Sequence, residues 1–212
     1  MALPDRLDEL ADQHPQTLNA DFPRGTSAVL VLVVDVAAGH PGIVLTRRSA
    51  DLRTDPGFVA FPGGKVDPGE TVEDAARREC EEEVGVAADD VRVHGRLPES
   101  WNGAGFRIVP VVASTLHPVE LRPGAEEVSA ASVVPLDDVV SDDNHRTVVK
   151  TIDGHDFIDD VITFVHDRLE WELYGPTADI ARDLAAFVAG ESRDSIARRQ
   201  ADLDHFAARR WV

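Results

Sequence analysis

The chain holds a single cysteine in 212 residues, Cys80, which excludes an intramolecular disulfide framework and fits a reducing compartment. It is also short of basic residues: 21 lysines and arginines stand against 39 aspartates and glutamates, a formal charge of -18. Such a surface repels nucleic-acid phosphates, so no nucleic acid is expected as a partner. An anionic ligand would need local help, from a bound cation or from a gathering of basic residues such as Arg47, Arg48, Arg53 and Lys65. Long apolar runs are missing as well. The longest, Ala28 to Val34, ends at Asp35, well short of the roughly 20 residues that span a bilayer. The opening MALPDRLDEL carries acids and no apolar stretch, unlike a secretory leader, so a cytoplasmic protein with no membrane partner is expected. No His-x-x-x-His or Cys-x-x-Cys pair offers a zinc site, and there is no repeat or low-complexity tract.

What is present is globular in character, with 43% hydrophobic and 28% charged residues, enough for one folded domain with terminal additions. Residues 1–24 read as an N-terminal arm, a short helical pattern from Leu3 to Ala11 followed by a polar stretch bounded by Pro15 and Pro23. Ser27 to Val36 is β-branched and almost wholly apolar, the pattern of a strand covered on both faces, and Gly42 to Arg48 looks like its neighbour. Residues 49–70 read as a long loop around one short strand, Phe58 to Phe61, and long loops in compact domains are often functional. Further strands are predicted over Val91–Leu97, Phe106–Leu116, Val128–Pro135 and Val161–Val165, and helices over Leu136–Val140 and Thr177–Ala189. The main domain thus covers 25–190. Residues 191–212 form a polar, Arg-rich tail, helical in propensity but poor in apolar anchors, which either frays or binds a partner; a homodimer assembled through arm or tail is the partner considered.

Thr71 and Asp74 have capping-box spacing and Gly85 stands at a C-cap, so a helix is predicted from Val72 to Val84. Val72, Ala76, Cys80 and Val84 form its apolar stripe, and Glu79 and Glu83 fall within that same face. A run of glutamates is ordinarily a solvated helix surface. Here two of them point to the packed side, where an unpaired carboxylate is costly, and Glu81, Glu82 and Glu83 crowd the helix end at which the macrodipole disfavours anions. A hard divalent cation resolves the conflict, because Glu79, Glu82 and Glu83 at i, i+3 and i+4 can bring oxygen ligands to one point; magnesium or manganese is the natural choice. Arg78, four residues before Glu82, can pair with it.

The segment GGKVDPGETVEDAARRECEEEVGV resembles the Nudix box: Gly64, Glu70, Arg78, Glu79, Cys80, Glu82, Glu83, Gly85 and Val86 occupy its fixed positions. Cys80 fills an apolar slot there. The resemblance implies an α/β class fold, the Nudix-type α/β/α sandwich with a mixed β-sheet, and attack of water on a phosphorus of a nucleoside diphosphate derivative. It carries Glu79, Glu82 and Glu83 over as metal ligands and catalytic residues, one of them also serving as base, with the carbonyl of Gly64 as a further ligand. Glu70 is implied to pair with Arg78 or with a loop amide.

Immediately upstream, LTRRSADLRTDPGFVAFPGG resembles the extension of the coenzyme A pyrophosphatase branch through Leu45, Thr46, Arg48, Ser49, Arg53, Gly57, Phe61, Pro62, Gly63 and Gly64. Val44 stands where leucine is usual, and Asp55 and Phe58 depart from the residues common in that branch. Arg48 and Arg53 can clamp phosphates, with Lys65 nearby, while Gly57 and Gly63 allow close backbone approach. Glu127, at a loop-to-strand junction, is a further candidate ligand or base. The expected reaction is hydrolysis of coenzyme A or acyl-coenzyme A to adenosine 3′,5′-bisphosphate and a phosphopantetheine. The alternatives are ADP-ribose, NADH or another nucleoside diphosphate derivative as substrate, or a nucleotide-sensing module without turnover.

Overall fold

Valine and leucine dominate the first long strand on both of its faces, and the fold is built outward from that strand. In the computed structural model, which describes residues 3–13, 16–34, 40–115, 119–124, 126–191 and 195–210, the elements run in the order α1 (Leu3–Asp8), β1 (Thr26–Val34), β2 (Gly42–Arg48), β3 (Val59–Ala60), β4 (Gly63–Lys65), α2 (Val72–Val84), β5 (Arg92–Arg96), β6 (Ser100–Trp101), β7 (Arg107–Ser114), β8 (Val128–Pro135), α3 (Leu136–Val140), β9 (His145–Ile152), β10 (His155–His166), β11 (Leu169–Tyr174), α4 (Pro176–Ala189) and α5 (Ser195–Arg210). Two predicted strand ends, Asp35–Val36 and Leu116, lie outside the described residues.

The main sheet is mixed. β1 runs parallel to β7 from Thr26 opposite Arg107 to Val33 opposite Ser114, and antiparallel to β2 at one end and β4 at the other. β8 and β3 extend the β2 side, while β5 and β6 pair with β7. Successive β1 residues serve opposite layers, as the pleat requires. Ala28, Leu30, Leu32 and Val34 pack with Ala75, Ala76, Cys80 and Val84 of α2, and Val31 and Val33 pack with Ile180 and Leu184 of α4. The expected α/β/α sandwich results, with the helix of glutamates on one face.

Three strands at the C-terminal side were legible only in part. Val161–Val165 belongs to β10, which forms a separate antiparallel sheet with β9 and β11. Asp153 and Gly154 link β9 to β10 with φ of 52 and 78, both left-handed, the geometry of a tight hairpin turn.

Both terminal segments pack on this body. Leu7 and Leu10 sit in the α4-side core, and Leu203 of α5 is fully buried. The arm is also tied down by His94, whose Nδ1 lies 2.8 Å from Asp8 Oδ1 and whose Nε2 lies 2.7 Å from Ser114 Oγ. Burial holds this imidazole below its ordinary 6.5, against the opposing pull of Asp8. A depressed folded value means that the stability it contributes is present above pH 6.5 and is lost as the pH falls through the folded value. Wild type is therefore expected to lose thermal stability below pH 6.5 more steeply than His94→Asn, with hydrogen exchange at residues 3–12 rising first. Parallel pH profiles for the two proteins would remove His94 from the account.

Candidate active site

The helix α2 has the bounds its caps dictate: Thr71 Oγ1 accepts the Asp74 N–H at 3.1 Å, and Gly85 ends it in the left-handed region at φ 74. The following loop completes the C-terminal cap, since the N–H of Arg122 donates to Val84 O and that of Gly124 to Glu83 O, each at 2.8 Å. This docks the segment carrying Glu127 against the glutamate end of the helix. Ser49 N–H in turn donates to Glu127 O at 2.8 Å, which brings the residues after β2 to the same place.

A cleft of about 610 Å³ opens between these parts, lined by Arg48, Gly63, Gly64, Lys65, Glu79, Glu82, Glu83 and Glu127, together with Gly124 and Glu126. Every residue expected at the site is therefore gathered here except Arg53 and Gly57. Those two lie on the loop between β2 and β3 and do not line the cleft; the upstream motif spacing does not say which way that loop turns. Arg47 also leaves the gathering. Adjacent residues of a strand face opposite ways, and its guanidinium reaches the Glu170 carbonyl and the Trp171 ring, 5.3 Å from the centroid. Gly124 and Glu126 are not among the expected site residues; Glu126 stands next to Glu127 in the Glu126–Val128 segment, and Gly124 carries no such signal.

Glu83 is only 8% exposed and accepts the Gly63 N–H at 3.1 Å. Burial pushes its carboxyl up to about 7, against that hydrogen bond, while Glu79 and Glu127 raise it and Arg48 lowers it. Glu79 is likewise raised, by burial first. Cys80 beside them is pushed up to about 12 by burial and by Glu83 and Glu81, so it packs as an inert thiol. Gly64 has no room for a side chain, because a Cβ there would fall on the Glu79 carboxylate.

Arg78, behind the cleft glutamates, ties several of their elements together. Its Nε donates to Glu70 Oε1 at 3.0 Å and its Nη1 to Glu79 Oε1 at 2.7 Å and Glu82 Oε2 at 3.4 Å, while Nη2 reaches the Lys65 carbonyl at 3.1 Å. Glu70 also accepts the Asp67 N–H at 3.1 Å, so it takes both partners anticipated for it, and its carboxyl is held below the usual range by Arg78. Across the cleft, the buried Nε of Arg48 has no hydrogen-bond partner among the described residues.

A hard divalent cation fits this donor set. Glu83 is buried and Glu79 half-buried beside it, at an energetic cost that bound positive charge would remove, while Glu82 stands exposed at the rim. Among the described residues no three acidic, imidazole or thiol groups converge on one point as they stand, because Arg78 draws Glu79 and Glu82 toward itself. A carboxylate has two oxygens, so pairing with Arg78 leaves each able to ligate.

The NUDIX domain model matches residues 25–152. The chain is 31% identical to the Nudix hydrolase NudL of Enterobacter sp. (strain 638) over 186 residues, 87% of this chain and 94% of that protein. It is 36% identical to Nudix hydrolase 3 of Caenorhabditis elegans over 134 residues, 61% of this chain and 55% of the longer relative. Among solved structures, a Nudix hydrolase from M. Smegmatis, RenU, overlaps 55% of this chain and 73% of its own at 28% identity and TM-score 0.47. A C. elegans Ap4A hydrolase overlaps 54% and 83% at 24% identity and TM-score 0.45. No helix among the described residues is long and apolar enough to cross a membrane. Nudix hydrolases generally require a divalent metal, in keeping with the donor set of the cleft. With the box residues Gly64, Glu79, Glu82 and Glu83 lining one cleft and the family match spanning the box, the chain belongs to the NUDIX domain family and is a Nudix hydrolase.

Proposed function

We propose that this chain hydrolyses the diphosphate bond of coenzyme A or an acyl derivative, giving adenosine 3′,5′-bisphosphate and the matching phosphopantetheine. The observation that carries this reading is the meeting of two segments in one cleft. Arg48, from the upstream pattern that resembles the coenzyme A pyrophosphatase branch, faces the glutamates of α2.

Glu79, Glu82 and Glu83, with the Gly64 carbonyl, would hold magnesium or manganese. When bound, such an ion neutralises charge developing on the phosphoryl oxygens and acidifies water. The protein's own groups do the rest. Arg48 and Lys65, both lining the cleft, offer positive charge to the phosphates, whereas the missing side chain of Gly63 serves its close pairing with Ala28 and Val29 of β1 and not, as expected from the sequence, approach to the diphosphate. Glu83, buried at the floor of the cleft, is the first candidate to take a proton from attacking water, and Glu127 is the second. Arg78 holds Glu79 and Glu82 in place and is itself held by Glu70. Arg53 and Gly57 enter only as contacts to substrate parts beyond the diphosphate.

The test is a substrate panel with magnesium and with manganese. Coenzyme A or an acyl derivative is expected to be cleaved with a higher kcat/KM than ADP-ribose or NADH. A wide preference for either of the latter overturns the coenzyme A reading while leaving diphosphate hydrolysis intact. Nucleotide binding with no turnover of any of the four overturns both and leaves a sensing module.

A further inference from the structure

Beside the glutamate cleft lies a second cavity, of about 250 Å³, between the loop before β3 and the start of α4. The two share a wall. Val29 lines the cavity and is paired across β1–β4 with Gly63, which lines the cleft, and the Arg48 N–H donates to the Phe58 carbonyl at 2.9 Å. We propose that this cavity holds the uncharged arm attached to the substrate's diphosphate, an amide-bearing chain of pantetheine type, and not the phosphorylated nucleoside. The inference rests on the coenzyme A reading above.

Charge decides which end of the substrate enters. Among the described residues no lysine or arginine lines the cavity, and the Asp55 carboxylate does. A 3′-phosphorylated nucleoside would be desolvated there beside a like charge, whereas a neutral arm meets no such cost. Ala60, Ile108 and Ile180 supply apolar wall, and a few polar groups stand among them, the usual make-up of a small-molecule pocket. These polar groups suit amides. Tyr174 keeps its proton, since burial and then Asp55 raise its hydroxyl above the ordinary value, and so it can donate to a carbonyl. Asn102 accepts the Phe106 N–H through Oδ1 at 3.1 Å, which leaves its NH2 as the group to offer.

Ring geometry points the same way. Phe58 and Tyr174 pack edge to face, with centroids 4.7 Å apart and planes at 88°. They therefore form no parallel slot into which a base could stack, but present an aromatic corner against which an alkyl chain can lie. Phe58, one of the two departures from the branch pattern, thus acquires a role as a wall of the arm site, and Asp55, the other, as the group that keeps phosphate out.

Calorimetric titration of the full chain with pantetheine, hexanoyl-pantetheine and adenosine 3′,5′-bisphosphate tests this without relying on turnover. Pantetheine is expected to bind and its hexanoyl derivative to bind more tightly. Tyr174→Ala, at a side chain 44% exposed and so of small consequence for folding, should weaken both by about tenfold, the size of a lost aromatic contact, while the bisphosphate is unaffected. Ala60→Leu, which fills the cavity, should act in the same direction. Absence of pantetheine binding to wild type, variants that leave it unchanged, or variants that weaken the bisphosphate instead would each overturn the inference. Failure to cleave coenzyme A, measured separately, would instead strike the reading on which it rests.

Discussion

Glu83→Gln is expected to reduce turnover by roughly 10²–10⁴-fold, the range for loss of a positioned acid–base group, while leaving the folded protein at least as stable as wild type. The two halves of this expectation come from one observation. Glu83 is buried next to Glu79 and Glu127, and its carboxyl is raised to about 7 chiefly by that burial. A group raised in the folded state contributes stability below its unfolded value and loses it as the pH rises through the folded one. At pH 8 the ionised Glu83 therefore works against folding, and glutamine removes the charge while keeping an oxygen to accept the Gly63 N–H. Thermal melts at pH 8 without metal should show an unchanged or higher midpoint for the variant. Melts with added magnesium or manganese should show a smaller metal-induced rise than in wild type, because one of the proposed ligands is gone. Full activity in Glu83→Gln would remove it from the site, and a lower midpoint without metal would mean that the carboxylate holds the fold together.

That the site is costly to fold is also why it could be read from sequence. The capping residues Thr71 and Gly85, the apolar stripe through Cys80, and the two glutamates on that stripe are all local features, and local spacing fixes a helix face. The alternating service of β1 to two cores follows just as directly from its valines and leucines. Where the chain direction depends on distant packing, spacing is silent. Arg47 and Arg48 are neighbours in sequence but diverge across a strand, and Arg53 and Gly57 follow a loop that leaves the cleft. The β9–β11 sheet was hidden for another reason: its strands carry no clean apolar period, as in Thr147 to Ile152, where two adjacent valines are followed by Lys150 and Thr151, and much of their surface stays exposed. The Asp153-Gly154 pair, between two such runs, was the overlooked hairpin signal. The C-terminal segment was obscured by composition, since a buried arginine and a solvated one look alike in a sequence.

That buried arginine is Arg199, and its replacement by leucine is expected to lower the stability of the whole protein by about 3–5 kcal/mol, the cost of leaving a buried partner uncompensated. Only 2% of its side chain is exposed; Nη1 lies 2.8 Å from Asp183 Oδ2, and Nε lies 3.3 Å from Asp179 Oδ2. Nη1 also donates to the Glu99 carbonyl at 3.0 Å, so one guanidinium joins α5, α4 and the chain before β6. Burial already raises Asp179, against the pull of Arg199 and Arg198, so loss of Arg199 removes the larger opposing charge. The deficit should therefore be greatest at neutral pH and shrink on acidification, as Asp179 takes up a proton. Denaturant titrations at pH 7 and pH 5 measure this, and Arg199→Leu combined with Asp183→Asn should recover part of the loss by removing one stranded carboxylate. An Arg199→Leu protein within about 1 kcal/mol of wild type, the range of an exposed ion pair, would instead place the anchoring of α5 in Leu203 and in the Phe206–Trp101 ring contact at 5.1 Å.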